Sequence, residues 1–533
     1  MAKRKRPDGH QDTADTRAAT AKTLKTEGKG HSASANQSAL NTKPVVNTSV
    51  GIPDPSTANG TSQPHASSDA KNGVEQTATN TPAPPQTTQT LQIITGSYES
   101  ILHGITATIS LGSESPPEFS DTFLFKAHAS SIRCLGLSPP PDPNSDSTQG
   151  IYLATGSSDE RVNVYSLSMS PLPQDDRLPR LPTLSITKLR ENPANRELGK
   201  IVQHSAPITS LHFPSRSKLL SASEDNTIAV SRTRDLELVS SIKAPRPKIQ
   251  GRPTGDTAPP GLTPMGVNDF AVHPSMKLMV TVGKGEKCMR LWNLVTGKKA
   301  GVLNFDRKSL ESIKEGKYSS GEGRKIEWDG QGKQFAVAFE RGILVFGEDS
   351  RVHAKVSLWP TKVCQMRWVL LGQGHEALAV STEDGRLVFF DVAHAHPEIE
   401  ADGKDPEDGE DIPTAAVLGT LGGKEAGVEG RIKDFEVLSS PEDPTHAIVV
   451  TAGSDGAVKL WRLPFEDLVK TKKQPSHVGK LLGTYETGNR ITCLRAFVMQ
   501  PPREEDEGGL SDFEGLTSAA EESSESDEED DNQ

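Results

Sequence analysis

The strongest constraint on this chain is a pattern that it repeats six times: an apolar, β-branched run, a turn of small residues carrying an acid, and a last strand ending six residues after that acid. Tyr152-Leu-Ala-Thr-Gly-Ser-Ser-Asp159 leads to Tyr165, Leu219-Leu-Ser-Ala-Ser-Glu-Asp225 to Ser231, and Leu278-Met-Val-Thr-Val-Gly, through Glu286, to Trp292. Phe335-Ala-Val-Ala-Phe-Glu340 leads to Phe346, Ala377-Leu-Ala-Val-Ser-Thr-Glu-Asp384 to Phe390, and Ile448-Val-Val-Thr-Ala-Gly-Ser-Asp455 to Trp461. A short β unit recurring every 40 to 50 residues or so, once insertions are set aside, cannot bury its own faces and must stack on its neighbours. That specifies a propeller and not a sandwich.

A further strand with a polar start precedes each copy, at 131–137, 208–213, 267–272, 324–328, 363–368 and 431–437. The Asp belongs in the tight turn between second and third strands, where its carboxylate accepts backbone N–H bonds and can bond a histidine at the blade's leading turn. His128 and His204 stand at that position. The anchors of the repeat are thus His128, Asp159 and Tyr165; His204 and Asp225; Trp292; Asp384 and Phe390; Asp455 and Trp461. Two fragments remain and complete each other. Residues 490–497 read as an inner strand with nothing after it, and 91–97, 101–109 and 122–125 as three strands with nothing before them. Joined, they make a seventh blade that removes the open sheet edge, so that 91–500 form one closed ring.

Residues 1–90 contain no Phe, Trp or Tyr and are expected to be a disordered arm, because nothing in them can offset the entropy of ordering. The arm begins with Lys3, Arg4, Lys5 and Arg6, a compact cationic run that reads as a nuclear import signal or as a solvated terminal charge cluster. The net charge of −12 is carried by the other end, where 503–533 hold 14 acidic residues against one basic. This tail, 501–533, is likewise expected to be disordered. In it Ser511, Ser524 and Ser526 each have an acid three residues on, the spacing of an acidophilic kinase site, and each phosphate would add roughly −1.5 to −2 charges. The tail reads as a regulated polyanion for basic partners such as ribosomal proteins, or as a solubilising segment.

No stretch approaches the roughly 20 apolar residues of a membrane helix, and the N-terminus lacks the apolar segment of a signal peptide. Cys134, Cys288, Cys364 and Cys493 are too dispersed for a disulfide framework or a zinc CxxC pair and read as reduced, buried thiols. No catalytic constellation stands out. Gly419-Thr-Leu-Gly-Gly-Lys424 is followed by Glu425 where a phosphate loop needs Ser or Thr, and reads as a loop. The reading is a non-enzymatic chain with no cofactor, no metal site and no small-molecule substrate. Lys243, Arg246, Lys248 and Arg252 form a basic insertion that reads either as an RNA phosphate contact or as an ordinary solvated loop. Further Pro-, Gly- or charge-rich insertions are read at 138–150, 168–200 and 394–430.

Gly96-Ser-Tyr-Glu99 with Ile101-Leu-His-Gly104, Lys126-Ala-His128, Leu220-Ser-Ala-Ser-Glu-Asp225, and Leu291-Trp-Asn-Leu294 with Arg431-Ile-Lys-Asp434 resemble, in matching order, the WD-repeat PAK-interacting-protein-like family. That family includes the fungal maintenance-of-killer type of assembly factor. The resemblance implies an all-β, seven-bladed WD-repeat β-propeller acting in the nucleolus as a scaffold for large (60S) ribosomal subunit assembly. Its implied partners are pre-60S ribosomal proteins and assembly factors, with rRNA as a further candidate. It also implies an alternative, an adaptor that restrains a p21-activated kinase by binding its regulatory region. The sequence departs from the WD pattern at Ser231 and Phe346, where the aromatic is lost or changed, and at Glu286 and Glu340, where Asp is lost.

Overall fold

The computed structural model describes residues 88–500, except 112–114, 142–149, 173–190, 246–264, 316–318, 372–373, 397–411, 440–442 and 470–475. These residues form seven antiparallel four-stranded blades. Six follow chain order, and their inner strands are Ile132–Leu137, Ile208–Ser215, Val267–Val272, Lys325–Trp328, Val363–Leu371 and Ile432–Ser439. Blades four and five meet at their outer strands through Lys355 and Thr414. In the closing blade the inner strand is Ile491–Val498, followed outward by Thr88–Ser97, Ile101–Ser110 and Glu118–Lys126.

Stacking explains the composition of the strands. A middle strand has a neighbouring blade on both faces, so it reads as an unbroken apolar run rather than an alternating one; every residue of Val162–Leu167 and of Gly342–Gly347 is buried. The core accordingly divides into seven clusters, each between two adjacent blades. One of them packs Ile94, Leu102 and Cys493 of the closing blade on Ile132, Leu135 and Leu153 of the first, which closes the ring. Each fully buried Leu or Ile contributes roughly 1.5–3 kcal/mol. Gly104 is required where the Phe123 ring lies flat on its strand, since a Cβ there would overlap the ring.

The ends of the chain meet in that last blade. Leu91 pairs with Val498 and Ser97 with Ile491, and beyond the ladder the Met499 N–H donates to Thr90 O at 2.8 Å.

Two stretches read as insertion contain the outer strands Arg196–Ile201 and Thr414–Gly422. Gly419 and its neighbours, read as a loop, lie in the second of these. Rim strands pair along most of their length on a single side and are interrupted by half-exposed positions, so they carry no apolar run to betray them. Two short helices, Arg307–Ser312 and Phe465–Val469, were not expected either. The first begins at Asp306, whose carboxylate caps the Lys308 N–H at 3.1 Å, and Leu310 fills the core between blades three and four.

Candidate functional site

Every inner strand runs from one face of the ring to the other, so the turn between second and third strands and the link into the next blade open on the same face, here called the entrance face. The turn acids reach that face by two different routes. In blade one, His128 Nδ1 lies 3.1 Å from Asp159 Oδ2 while its Nε2 meets Thr155 Oγ1 at 2.7 Å. Asp159 also accepts the Ala129 N–H at 3.0 Å. Blade two repeats this arrangement: His204 Nδ1 to Asp225 at 3.3 Å, His204 Nε2 to Ser221 Oγ at 2.7 Å, and the Ser205 N–H to Asp225 at 3.1 Å. Burial pushes the His128 pKa below its ordinary value, against the pull of Asp159. Burial opposes ionisation of Asp225, yet the hydrogen bonds from His204, Thr227 and Ser205 hold its carboxyl well below the usual range.

The other blades solve the turn without a histidine. In blade three, where Glu286 replaces the Asp, both of its carboxylate oxygens accept from the buried Arg290 guanidinium. Trp292 Nε1 donates to Thr281 Oγ1, and Trp461 Nε1 to Thr451 Oγ1, each at 3.0 Å. Asp384 is bound by Arg386 Nε at 2.7 Å, and Asp455 accepts the Ala457 N–H at 3.2 Å. Tyr165 and Phe390 are buried between blades, and desolvation raises the Tyr165 hydroxyl to about 12. In blade four Glu340 is shared by Lys362 at 2.9 Å and Arg324 at 3.2 Å, two residues that line the channel mouth.

The mouth of the central channel is a polar funnel of about 610 Å³, with Arg133, Arg324, Lys362, Arg431 and Lys433 among its walls. Carboxylates there are outnumbered. Glu224 is shared between Arg133 at 2.8 Å and Lys284 at 3.8 Å, and Glu383 lies 3.5 Å from Arg431. Deeper in, Arg367 and Arg495 converge on the buried Asp434 at 3.1 and 3.5 Å. Arg367 also lies 3.1 Å from Glu436, and burial raises the Glu327 carboxyl to about 8, only partly offset by the Arg367 charge.

Among the described residues no group of three His, Cys, Asp or Glu side chains has metal-binding geometry. The four thiols form no disulfide, but only Cys493 is buried; Cys134, Cys288 and Cys364 are half-exposed, Cys134 and Cys364 because they line the channel mouth. Of the basic insertion, Lys243 is exposed at the end of its strand on the entrance face, and Arg246, Lys248 and Arg252 lie outside the described residues. So do Lys3, Arg4, Lys5, Arg6, Ser511, Ser524 and Ser526. What sequence reading missed is the cationic mouth itself, whose members are scattered from blade to blade along the chain.

A family model described as "WD domain, G-beta repeat" matches residues 195–230, spanning the His204–Asp225 turn. Protein MAK11 of Saccharomyces cerevisiae is 28% identical over 428 residues, covering 76% of this chain and 82% of that protein. A p21-activated protein kinase-interacting protein 1-like protein of Gallus gallus is 23% identical, covering 77% of this chain and 81% of its own. Shk1 kinase-binding protein 15 of Schizosaccharomyces pombe is also 23% identical, covering 78% of this chain and 88% of its own. The chain is therefore a WD-repeat β-propeller of the protein-interaction scaffold kind, similar along most of its length to the PAK-interacting-protein-like proteins and to Protein MAK11.

Proposed function

We propose that this propeller is a non-enzymatic assembly factor for the large (60S) ribosomal subunit, working in the nucleus and nucleolus and holding pre-ribosomal proteins and assembly factors on its faces. The observation that carries this reading is the ordered set of motifs from Gly96 to Asp434, shared with the family that includes the fungal maintenance-of-killer type of assembly factor. A rigid ring with two loop-built faces suits such work, since it presents several partner surfaces without chemistry.

Sucrose-gradient sedimentation of the tagged chain, with mass spectrometry of copurifying proteins, tests the proposal. Comigration with pre-60S particles that survives moderate salt is the expected result; a light species free of ribosomal proteins would overturn it. A second reading has its own support, because the names of the chicken and fission-yeast relatives describe them as kinase-interacting and kinase-binding. On that reading the propeller is an adaptor that occludes the regulatory region of a p21-activated kinase, and the same purification would yield the kinase in place of the particle.

A further inference from the structure

The entrance face carries an arc of cations and exposed rings, of which Lys362 and Arg431 also pair with carboxylates of the turns. It starts at Trp359, in the link between blades four and five, which is 57% exposed with the Arg341 guanidinium 4.7 Å from its ring centre. It continues through Lys362 and Arg431, each sharing a carboxylate with the frame, to the half-buried Lys433. It ends at Arg490, whose guanidinium lies 5.7 Å from the ring of Tyr98, itself 61% exposed. Tyr98 is fixed on this face by its N–H bond to Arg490 O at 2.9 Å. Among the described residues, Arg341, Lys433 and Arg490 have no ion-pair partner. Burial, with the neighbouring Arg431 and Arg490 charges, depresses the Lys433 pKa against the opposing pull of Cys364 and Glu383.

We propose that this arc, from Trp359 through Lys362, Arg431 and Lys433 to Arg490 and Tyr98, binds single-stranded nucleic acid. Surplus cations call for a polyanion, and two exposed rings, each already held by an arginine on one side, present a free face for stacking. An acidic peptide would satisfy the cations and leave both rings idle. A duplex would offer phosphates but no unstacked base. A single strand uses both, with phosphates over the funnel and bases on the rings at its two ends. The inference deepens the scaffold reading but is tested separately, so that either can fail alone.

The experiment is fluorescence anisotropy of the full chain with fluorescein-labelled oligouridylate, oligodeoxythymidylate, a duplex of equal length and a polyglutamate peptide, between 50 and 200 mM salt. Both single strands are expected to bind more tightly than duplex or polyglutamate, with RNA preferred if the 2′-hydroxyl is also read. The double substitution Arg431→Gln/Lys433→Gln should weaken binding at least tenfold and flatten the salt dependence by about 0.7 for each phosphate left without its cation. Tyr98→Ala and Trp359→Ala should each weaken binding about tenfold and leave the salt slope unchanged. Tyr98 and Trp359 are exposed and Arg431 and Lys433 half-buried, and an unaltered unfolding midpoint confirms that each variant folds. Tighter binding of polyglutamate or duplex, no binding of either single strand, or affinities indifferent to all these substitutions would overturn the proposal.

Discussion

Blades two and four occupy equivalent places in the ring and spend their turn acid differently. In blade two Asp225 is turned inward, locked by His204, Thr227 and the Ser205 N–H. In blade four Glu340 faces outward onto Lys362 and Arg324, and cohesion comes from aromatic packing instead: Phe305 meets Phe339 edge-on at 5.0 Å, and Phe335 stacks on Phe346 at 5.3 Å. A repeat can therefore surrender its polar lock when its core is rich enough, and the released carboxylate becomes part of a surface. The two blades also respond to pH in opposite senses. Asp225, with its pKa depressed by folding, contributes stability that is complete above the ordinary carboxylate range and is lost as pH falls through its native value. Glu327, on the inner strand of blade four and raised to about 8, destabilises the fold progressively as pH rises from the ordinary carboxylate range through 8.

Four substitutions bear on this comparison. The largest loss is expected for Phe339→Ala, since this side chain is fully buried: about 4 kcal/mol in urea unfolding, and a loss below 1 kcal/mol would show that packing does not replace the lock. Glu327→Gln should stabilise the protein by on the order of 3 kcal/mol at pH 8 and not at all at pH 4; a gain independent of pH would mean that the carboxyl ionises normally. Asp225→Ala should cost about 2 kcal/mol at pH 7, because it strips the partner from a buried imidazole, and the deficit should shrink as acid titrates the wild-type carboxylate. Glu340→Gln should change stability by less than about 1 kcal/mol, and a larger loss would make blade four as dependent on its acid as blade two.

The sequence showed the middle of each blade and hid its rim. The six acid-to-strand-end spacings located second and third strands because those strands are buried on both faces and must be apolar. Arg196–Ile201, buried only at Ile201, passed for insertion. His128 and His204 were legible as partners of Asp159 and Asp225 because each lies just before an inner strand. The cationic arc was not, since Tyr98 and Arg490 are 392 positions apart in the chain and become neighbours only when the last blade closes.

That closing pair also defines how the ring answers to force. Thr88–Ser97 and Ile491–Val498 are antiparallel, and both free ends emerge where Thr90 bonds Met499. Tension between the two outer segments would load the ladder as a zipper, parting its bonds one after another from Thr90 inward rather than shearing them together. A machine holding both ends would need only modest work to open the ring at this seam, leaving the other six blades stacked.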